Sequence, residues 1–151
     1  MPINSHRVFD NHNKLLLELF KHGVSSVQPK NFLKKFLKVT KNKISIFNGS
    51  KRKEYSSFKN VMPICIGKAS VDMGKTALSI LKKSQKNILE GIIVVNKENF
   101  GTVSGFKCFK SGHPVPNKNG LIAAKYLEKK LNKLDDDCLI LLFLSGGGSS
   151  L

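Results

Sequence analysis

Residues 61–95 read VMPICIGKASVDMGKTALSILKKSQKNILEGIIVV, and their reading decides the fold class. Val61 to Ile66 is a short apolar run closed by Gly67, and Met73, Ala77, Leu78 and Leu81 then recur at helical spacing over residues 70–84. Gly91 to Val95 is a second apolar run. Strand, helix and strand in that order predict a right-handed βαβ unit, because a parallel partner strand needs a crossover and a helix supplies it. Pro63 lacks a ladder donor, so the first strand is expected to begin at Ile64.

The alternation continues toward the C-terminus. Phe106 to Phe109 reads as a further strand and residues 118–133 as a helix with Leu121, Ala124, Leu127 and Leu131 on one face. Asp135 to Asp137 reads as a solvated turn into Cys138-Leu-Ile-Leu-Leu-Phe-Leu144. That run lacks polar alternation, so both its faces are expected to be buried, as in the middle of a parallel sheet. The fold class is therefore α/β: a three-layer α/β/α sandwich with a mainly parallel, Rossmann-like sheet.

Upstream, residues 1–40 form a helical leader. Val8, Phe9, Leu15, Leu16, Leu19 and Phe20 predict a helix over 5–22, with Ser5 as its N-cap and Gly23 as its stop. Pro29 opens a second helix striped by Phe32, Leu33, Phe36 and Leu37. The pair is expected to pack on elements further along. Residues 41–60 read as a loop carrying a short strand at Ile44 to Phe47, and residues 61–151 as the α/β domain.

A chain of 151 residues with 40% hydrophobic and 24% charged residues has globular composition and excludes a disordered one. The formal charge of +16 points toward anionic partners. Its make-up argues against specific nucleic-acid recognition: Arg7 and Arg52 are the only arginines among 26 basic residues, and arginine is the side chain that reads phosphates and base edges in bidentate fashion. Cys65, Cys108 and Cys138 are odd in number and form no CxxC pair, so neither a disulfide framework nor a zinc site is indicated, and no metal-ligating residue is assigned. Residues 1–14 lack the apolar core of a secretory signal, and the longest apolar run is far too short to cross a membrane. The expected location is the cytoplasm.

In sheets of this class ligands bind beyond the carboxyl ends of the strands. Here those ends are Gly67-Lys68-Ala69-Ser70, the region around Asn96, the loop Gly112-His113-Pro114-Val115-Pro116-Asn117, and Ser145-Gly146-Gly147-Gly148-Ser149-Ser150. Successive glycines after a buried strand let backbone N–H groups approach an anion, so 145–150 is a phosphate cradle in type, although it matches neither GxxxxGK[ST] nor GxGxxG. A plain glycine turn is the competing reading. Lys68 stands beside a glycine turn at a helix mouth, where it would neutralise charge on a transferred phosphoryl group, though it is one of 24 lysines. His113 has three readings open: contact with a substrate carboxylate, acid–base work, or hydrogen bonding to backbone carbonyls. His6, His12 and His22 read as surface residues of the first helix.

Taken in order, Phe9 to Leu19 with Val27-Gln28-Pro29, Ile66-Gly67-Lys68-Ala69-Ser70 with Met73, Gly91 to Val95, Gly112 to Pro116, Gly120 with Ala123-Ala124, and Leu144 to Ser149 resemble the glycerate 2-kinase family. Members of that family end in a small MOFRL domain and are often labelled hydroxypyruvate reductase. Ile66, Asn117 and Ser150 depart mildly from the family's pattern. The later acidic and basic motifs and the MOFRL domain have no counterpart in these residues, so the sequence is expected to be an N-terminal fragment, inactive and marginally folded alone.

The resemblance implies transfer of the ATP γ-phosphate to the 2-hydroxyl of glycerate with Mg2+ or another divalent metal. It implies Lys68 as the catalytic lysine, Ser145, Gly146, Gly147, Gly148, Ser149 and Ser150 as the nucleotide-phosphate loop, and Gly67, Ser70 and His113 as substrate contacts. The expected partner is the small molecule glycerate, with no membrane and with room for an oligomer. Two rival functions are an NAD(P)H-dependent hydroxypyruvate reductase, disfavoured by the lack of GxGxxG, and a basic nucleic-acid-binding module.

Overall fold

The computed structural model describes residues 5–151, with side chains from residue 12 onward. Helix α1 spans Ser5–Val27 and α2 spans Pro29–Phe36. The expected roles of Ser5, His6, Val8 and Phe9 fall outside the described side chains. Gly23 does not stop α1: a glycine inside a helix costs only about 1 kcal/mol, and the chain leaves the helix at Gln28 (φ −62°, ψ 138°), the residue that Pro29 drives out of helical space. Asn31 ties the two helices by donating to the Ser25 carbonyl at 2.7 Å. Contrary to expectation, the apolar face of α1 is not packed among the described residues, since Leu15, Leu16, Leu19 and Phe20 are all exposed.

The helical leader gives way early, since Leu37, expected on the second helix, already belongs to a strand, and residues 41–55 carry more order than the expected loop. Strands β1 (Leu37–Val39), β2 (Ile44–Asn48) and β3 (Lys51–Tyr55) form an antiparallel sheet in the order β1-β2-β3. Leu37 of β1 is buried as Ile44 of β2 is, but β1 is three residues long and continues the apolar spacing of α2, which is why sequence alone finds one strand. β3 has almost no hydrophobic content and is held by the ladder and by Glu54, which pairs with Lys43 at 2.9 Å and with Arg52. Ile44, fully buried, joins Leu33, Leu37 and Phe58 and seats this small sheet on the main core.

The main sheet is parallel. Strand β4 (Asn60–Ile66) pairs along its whole length with β8 (Cys138–Leu144) on one edge. Its other edge is shared by β5 (Asn87–Ile88), opposite Asn60 and Val61, and β6 (Gly91–Asn96), opposite Ile64 to Ile66. Strand β7 (Phe106–Ser111) lies outside β6. Pro63 lies inside β4, not before it, and the hydrogen bonds explain why. The Val61 carbonyl accepts from Leu89 and the Gly67 N–H donates to Val94, so odd-numbered residues of β4 face the β5/β6 edge. The missing N–H of Pro63 therefore points at the break between β5 and β6, where no partner strand waits for it.

Helix α3 (Ser70–Leu81) covers one face, packing Ile80 and Leu81 on Val61 and Leu141; α4 (Lys118–Leu131) covers the other, placing Ala123 over Met62, Ile64, Ile92 and Val94. These layers make the expected α/β/α sandwich. Each buried Ile or Leu contributes about 1.5–3 kcal/mol relative to exposure. The expectation for β8 holds on one face only. Leu141 packs under α3, but Ile140, Leu142 and Leu144 are exposed, because α4 sits over β6 and β7 and no described element covers that part of the sheet.

Candidate functional site

The carboxyl ends of β4, β6, β7 and β8 meet at one edge, where backbone hydrogen bonds join the loops after β4 and β8. The Lys68 N–H donates to the Gly146 carbonyl at 3.0 Å and the Ser145 N–H to the Ile66 carbonyl at 3.0 Å. The Ser145 hydroxyl accepts from the Ala69 N–H at 3.0 Å, taking one of the free donors at the mouth of α3, whose N-cap Ala69 has no capping side chain of its own. A Cβ on Gly67 (φ 121°) would overlap Ser145, so only glycine lets the two loops approach this closely.

The glycine loop leaves β8 and tightens into a one-turn 3-10 segment, Gly148–Ser150. Gly147 is left-handed at φ 86°, and a Cβ there would sit 3.1 Å from the His113 imidazole and 3.2 Å from Cε of Lys68. Three sequence-predicted site residues, Lys68, His113 and Gly147, are thus brought together around one small space. Among the described residues, the N–H groups of Gly146 and Gly147 have no hydrogen-bond partner, whereas those of Gly148 and Ser150 bond within the loop. Two successive free N–H groups beside a lysine ammonium form an anion-binding concavity.

Other residues of the expected set stand differently. Ser70 is fully buried and its hydroxyl donates to the Gly67 carbonyl at 2.6 Å, closing the turn before α3. The Ser145 hydroxyl is engaged with Ala69, and the Ser150 hydroxyl donates to the Gly147 carbonyl at 3.2 Å. Ser149 is exposed. The hydroxyls of Ser70, Ser145 and Ser150 all hold the loops, Ser145 as an acceptor, while the backbone N–H groups of Gly146 and Gly147 stay free among the described residues.

The loop 112–117 folds tightly, with a cis His113–Pro114 peptide and Gly112 packed against Val115 and Asn117. Asn117 caps α4 by accepting from the N–H groups of Asn119 (3.0 Å) and Gly120 (3.3 Å). A cavity of about 310 Å³ opens beside this loop, lined by Lys97, Glu98, Ser111, His113 and Asn117. Ser111 is buried and its hydroxyl has no partner among the described residues.

Sequence reasoning misses Glu98. It lies in the one-turn 3-10 segment Lys97–Asn99 after β6, where buried Asn96 donates to its Oε2 at 2.5 Å and is itself held by Asn99 at 2.9 Å. Its own backbone N–H, then the Asn96 amide, hold its carboxyl below the usual range against the opposing effect of desolvation, with Lys97 and His113 adding favourable charge. The signal that could have found it is a carboxylate two residues beyond a strand end on the ligand-binding edge. Among the described residues no three His, Cys, Asp or Glu side chains converge as a metal site, so these residues alone do not fit a protein-built divalent-cation centre. No helix of the described residues is long and apolar enough to cross a membrane.

The chain resembles known proteins in sequence and in fold. Residues 15–151 match a family described as a domain of unknown function, DUF4147. The chain is similar to a D-glycerate 2-kinase of Thermotoga maritima, 28% identical over 139 residues, and to a glycerate 2-kinase of Pyrococcus horikoshii, 26% identical over 136. These matches cover 91% and 89% of this chain but 29% of each relative. A solved structure from Pyrococcus horikoshii superposes with a TM-score of 0.77 at 25% identity over 92% of this chain. A glycerate kinase from Thermotoga maritima superposes with a TM-score of 0.68 at 26% identity over 94%. The chain spans 30% of the length of each of these two structures.

Proposed function

Because the chain belongs to the DUF4147 family, we propose that it carries the phosphate-handling edge of an ATP-dependent glycerate 2-kinase, which transfers the γ-phosphoryl group to the 2-hydroxyl of glycerate. Residues 61–151 would be the N-terminal part of the kinase domain and residues 1–40 its helical leader. The observation that carries the reading is the convergence of Lys68, His113 and Gly147. The free N–H groups of Gly146 and Gly147 would hold nucleotide phosphate oxygens, and the Lys68 ammonium would neutralise charge that develops on the transferring group. The nearby α3 N-terminus favours negative charge at the same place. ATP supplies the phosphoryl group when bound, and Mg2+ would be carried with the nucleotide, given the sparse carboxylates of this edge.

The test is ADP formation by the full-length protein with ATP, Mg2+ and glycerate, beside NADH or NADPH oxidation with hydroxypyruvate. Glycerate-dependent ADP formation without nicotinamide oxidation is expected. Nicotinamide oxidation without ADP formation would replace the kinase by a reductase. Polynucleotide binding that is lost between 50 and 200 mM salt, with no turnover of either substrate, would favour a nucleic-acid module.

A further inference from the structure

Lys97, Glu98 and His113 line one cavity, and His113 also borders Gly147, so its imidazole stands between the cavity and the place where Lys68 and the glycine loop meet. An occupant of this cavity therefore lies next to whatever the loop holds. The cavity offers a carboxylate, an imidazole and the ammonium of Lys97. A small hydroxy acid matches this inventory: an alcohol for the imidazole, and a carboxylate for the Lys97 ammonium.

We propose that this cavity receives the acceptor hydroxy acid, that His113 accepts the proton of its reacting hydroxyl, and that Glu98 is the positioning residue whose charge stabilises the imidazolium so formed. The proposal deepens the kinase reading and rests on it. In the step, the acceptor O–H bond breaks as its oxygen bonds to the γ-phosphorus, and the proton passes to His113. The bond from that phosphorus to the β–γ bridging oxygen breaks, its electron pair leaving with ADP. Glu98 is suited to the task because Asn96, itself held by Asn99, fixes its carboxylate at the β6 end. The charged groups around His113 are Glu98 and Lys97 after β6 and Lys68 after β4. Glu98 is the one anion among them, and it acts on the imidazole through charge across the cavity.

The experiment has two arms, both on the full-length protein. First, the imidazole NMR signal of His113, assigned by its loss in H113Q, is followed as glycerate is added without nucleotide. It is expected to move in the wild type and to be left in place by acetate, which lacks the hydroxyl. Second, kcat and KM are measured against pH for wild type, E98Q and H113Q, with thermal unfolding to confirm that each variant folds. H113Q is expected to lower kcat by about 10²–10⁴-fold with ATP KM unchanged. E98Q is expected to lower kcat by about tenfold and to move the acid limb of the kcat profile to lower pH. Glycerate that leaves His113 unmoved, or an E98Q profile that overlays the wild type, overturns the proposal. Recovery of E98Q by raised Mg2+ also overturns it, by making Glu98 a metal ligand. A moving His113 signal without any ADP formation overturns the kinase reading while leaving the acceptor cavity standing.

Discussion

The backbone N–H of Lys68 donates to the carbonyl of Gly146 at 3.0 Å, so the loop after β4 and the loop after β8 are held as one unit. With the Ser145 hydroxyl receiving the Ala69 N–H, the Lys68 backbone and the free glycine N–H groups are placed by backbone geometry, and long flexible side chains play no part in setting their spacing. Preorganisation of this kind is what electrostatic catalysis requires.

The first consequence concerns Lys68. If the proposed kinase activity holds, Lys68→Ala in the full-length protein should lower kcat by about 10²-fold, the scale of one preorganised electrostatic group. Lys82→Ala and Lys83→Ala, beyond the last turn of α3 and away from this edge, should leave kcat within about twofold. Steady-state kinetics on the three variants decide it, and equal losses at all three would assign the effect to overall charge.

Adjacent glycines should respond differently. Gly147→Ala forces a side chain onto a left-handed residue, at about 1–2 kcal/mol, and drives its Cβ toward His113 and Lys68. Gly146 is open, with nothing within 4 Å of the place a Cβ would take. Nucleotide affinity measured by calorimetry should fall by about tenfold or more in G147A and far less in G146A.

Ser145→Ala should destabilise the fold by about 1 kcal/mol, the net worth of one hydrogen bond, because it frees the Ala69 N–H at a helix mouth without another cap. Denaturant unfolding should show a lower midpoint with an unchanged slope. Ser70→Ala should cost a similar amount for the turn before α3.

Asp137 gives a pH dependence of stability. Lys59, 2.9 Å away, holds its carboxyl below the ordinary value of 3.8, aided by Asn60 and opposed by desolvation. A depressed carboxylate contributes stability that is present above its unfolded value and is lost as pH falls through its folded value. The acid-side decline in Tm below about pH 4 should therefore be shallower in Asp137→Asn than in the wild type, with little difference between the slopes above about pH 5.

The thiols should separate by reactivity. Burial pushes Cys65 up from 9.0 to about 12, with the nearby Cys108 adding to it. Because its folded value is raised, its contribution to stability is complete below pH 9 and is lost as pH rises toward 12. At about pH 8, a thiol reagent followed by mass mapping should label Cys65 last and only at the rate of unfolding.

Much of this was legible in the residues themselves. The βαβ order from Val61 to Val95, the helix from Lys118 and the gathering of glycines at strand ends follow from local period and turn chemistry, which a linear reading detects. Pro63 shows the limit. Its missing donor argues against a central strand, and only the break between β5 and β6 opposite it makes the position tolerable. β3 is hidden for a related reason: Lys51 to Tyr55 has no apolar alternation, and pairing with β2 holds it.

By itself, the sequence determined the layered α/β class, the loops that follow the carboxyl ends of the strands, and Lys68, His113 and the 145–150 loop as the residues to watch, since each depends on composition and spacing within a short stretch. Tertiary structure alone decided that Lys68 and His113 converge on Gly147, that the hydroxyls of Ser70 and Ser145 are spent on the loops, that Glu98 shares a cavity with His113, and that one face of β8 lies uncovered among the described residues. Those facts depend on which strands become neighbours. Strand order is set by packing between residues far apart in the chain, and no local pattern encodes it.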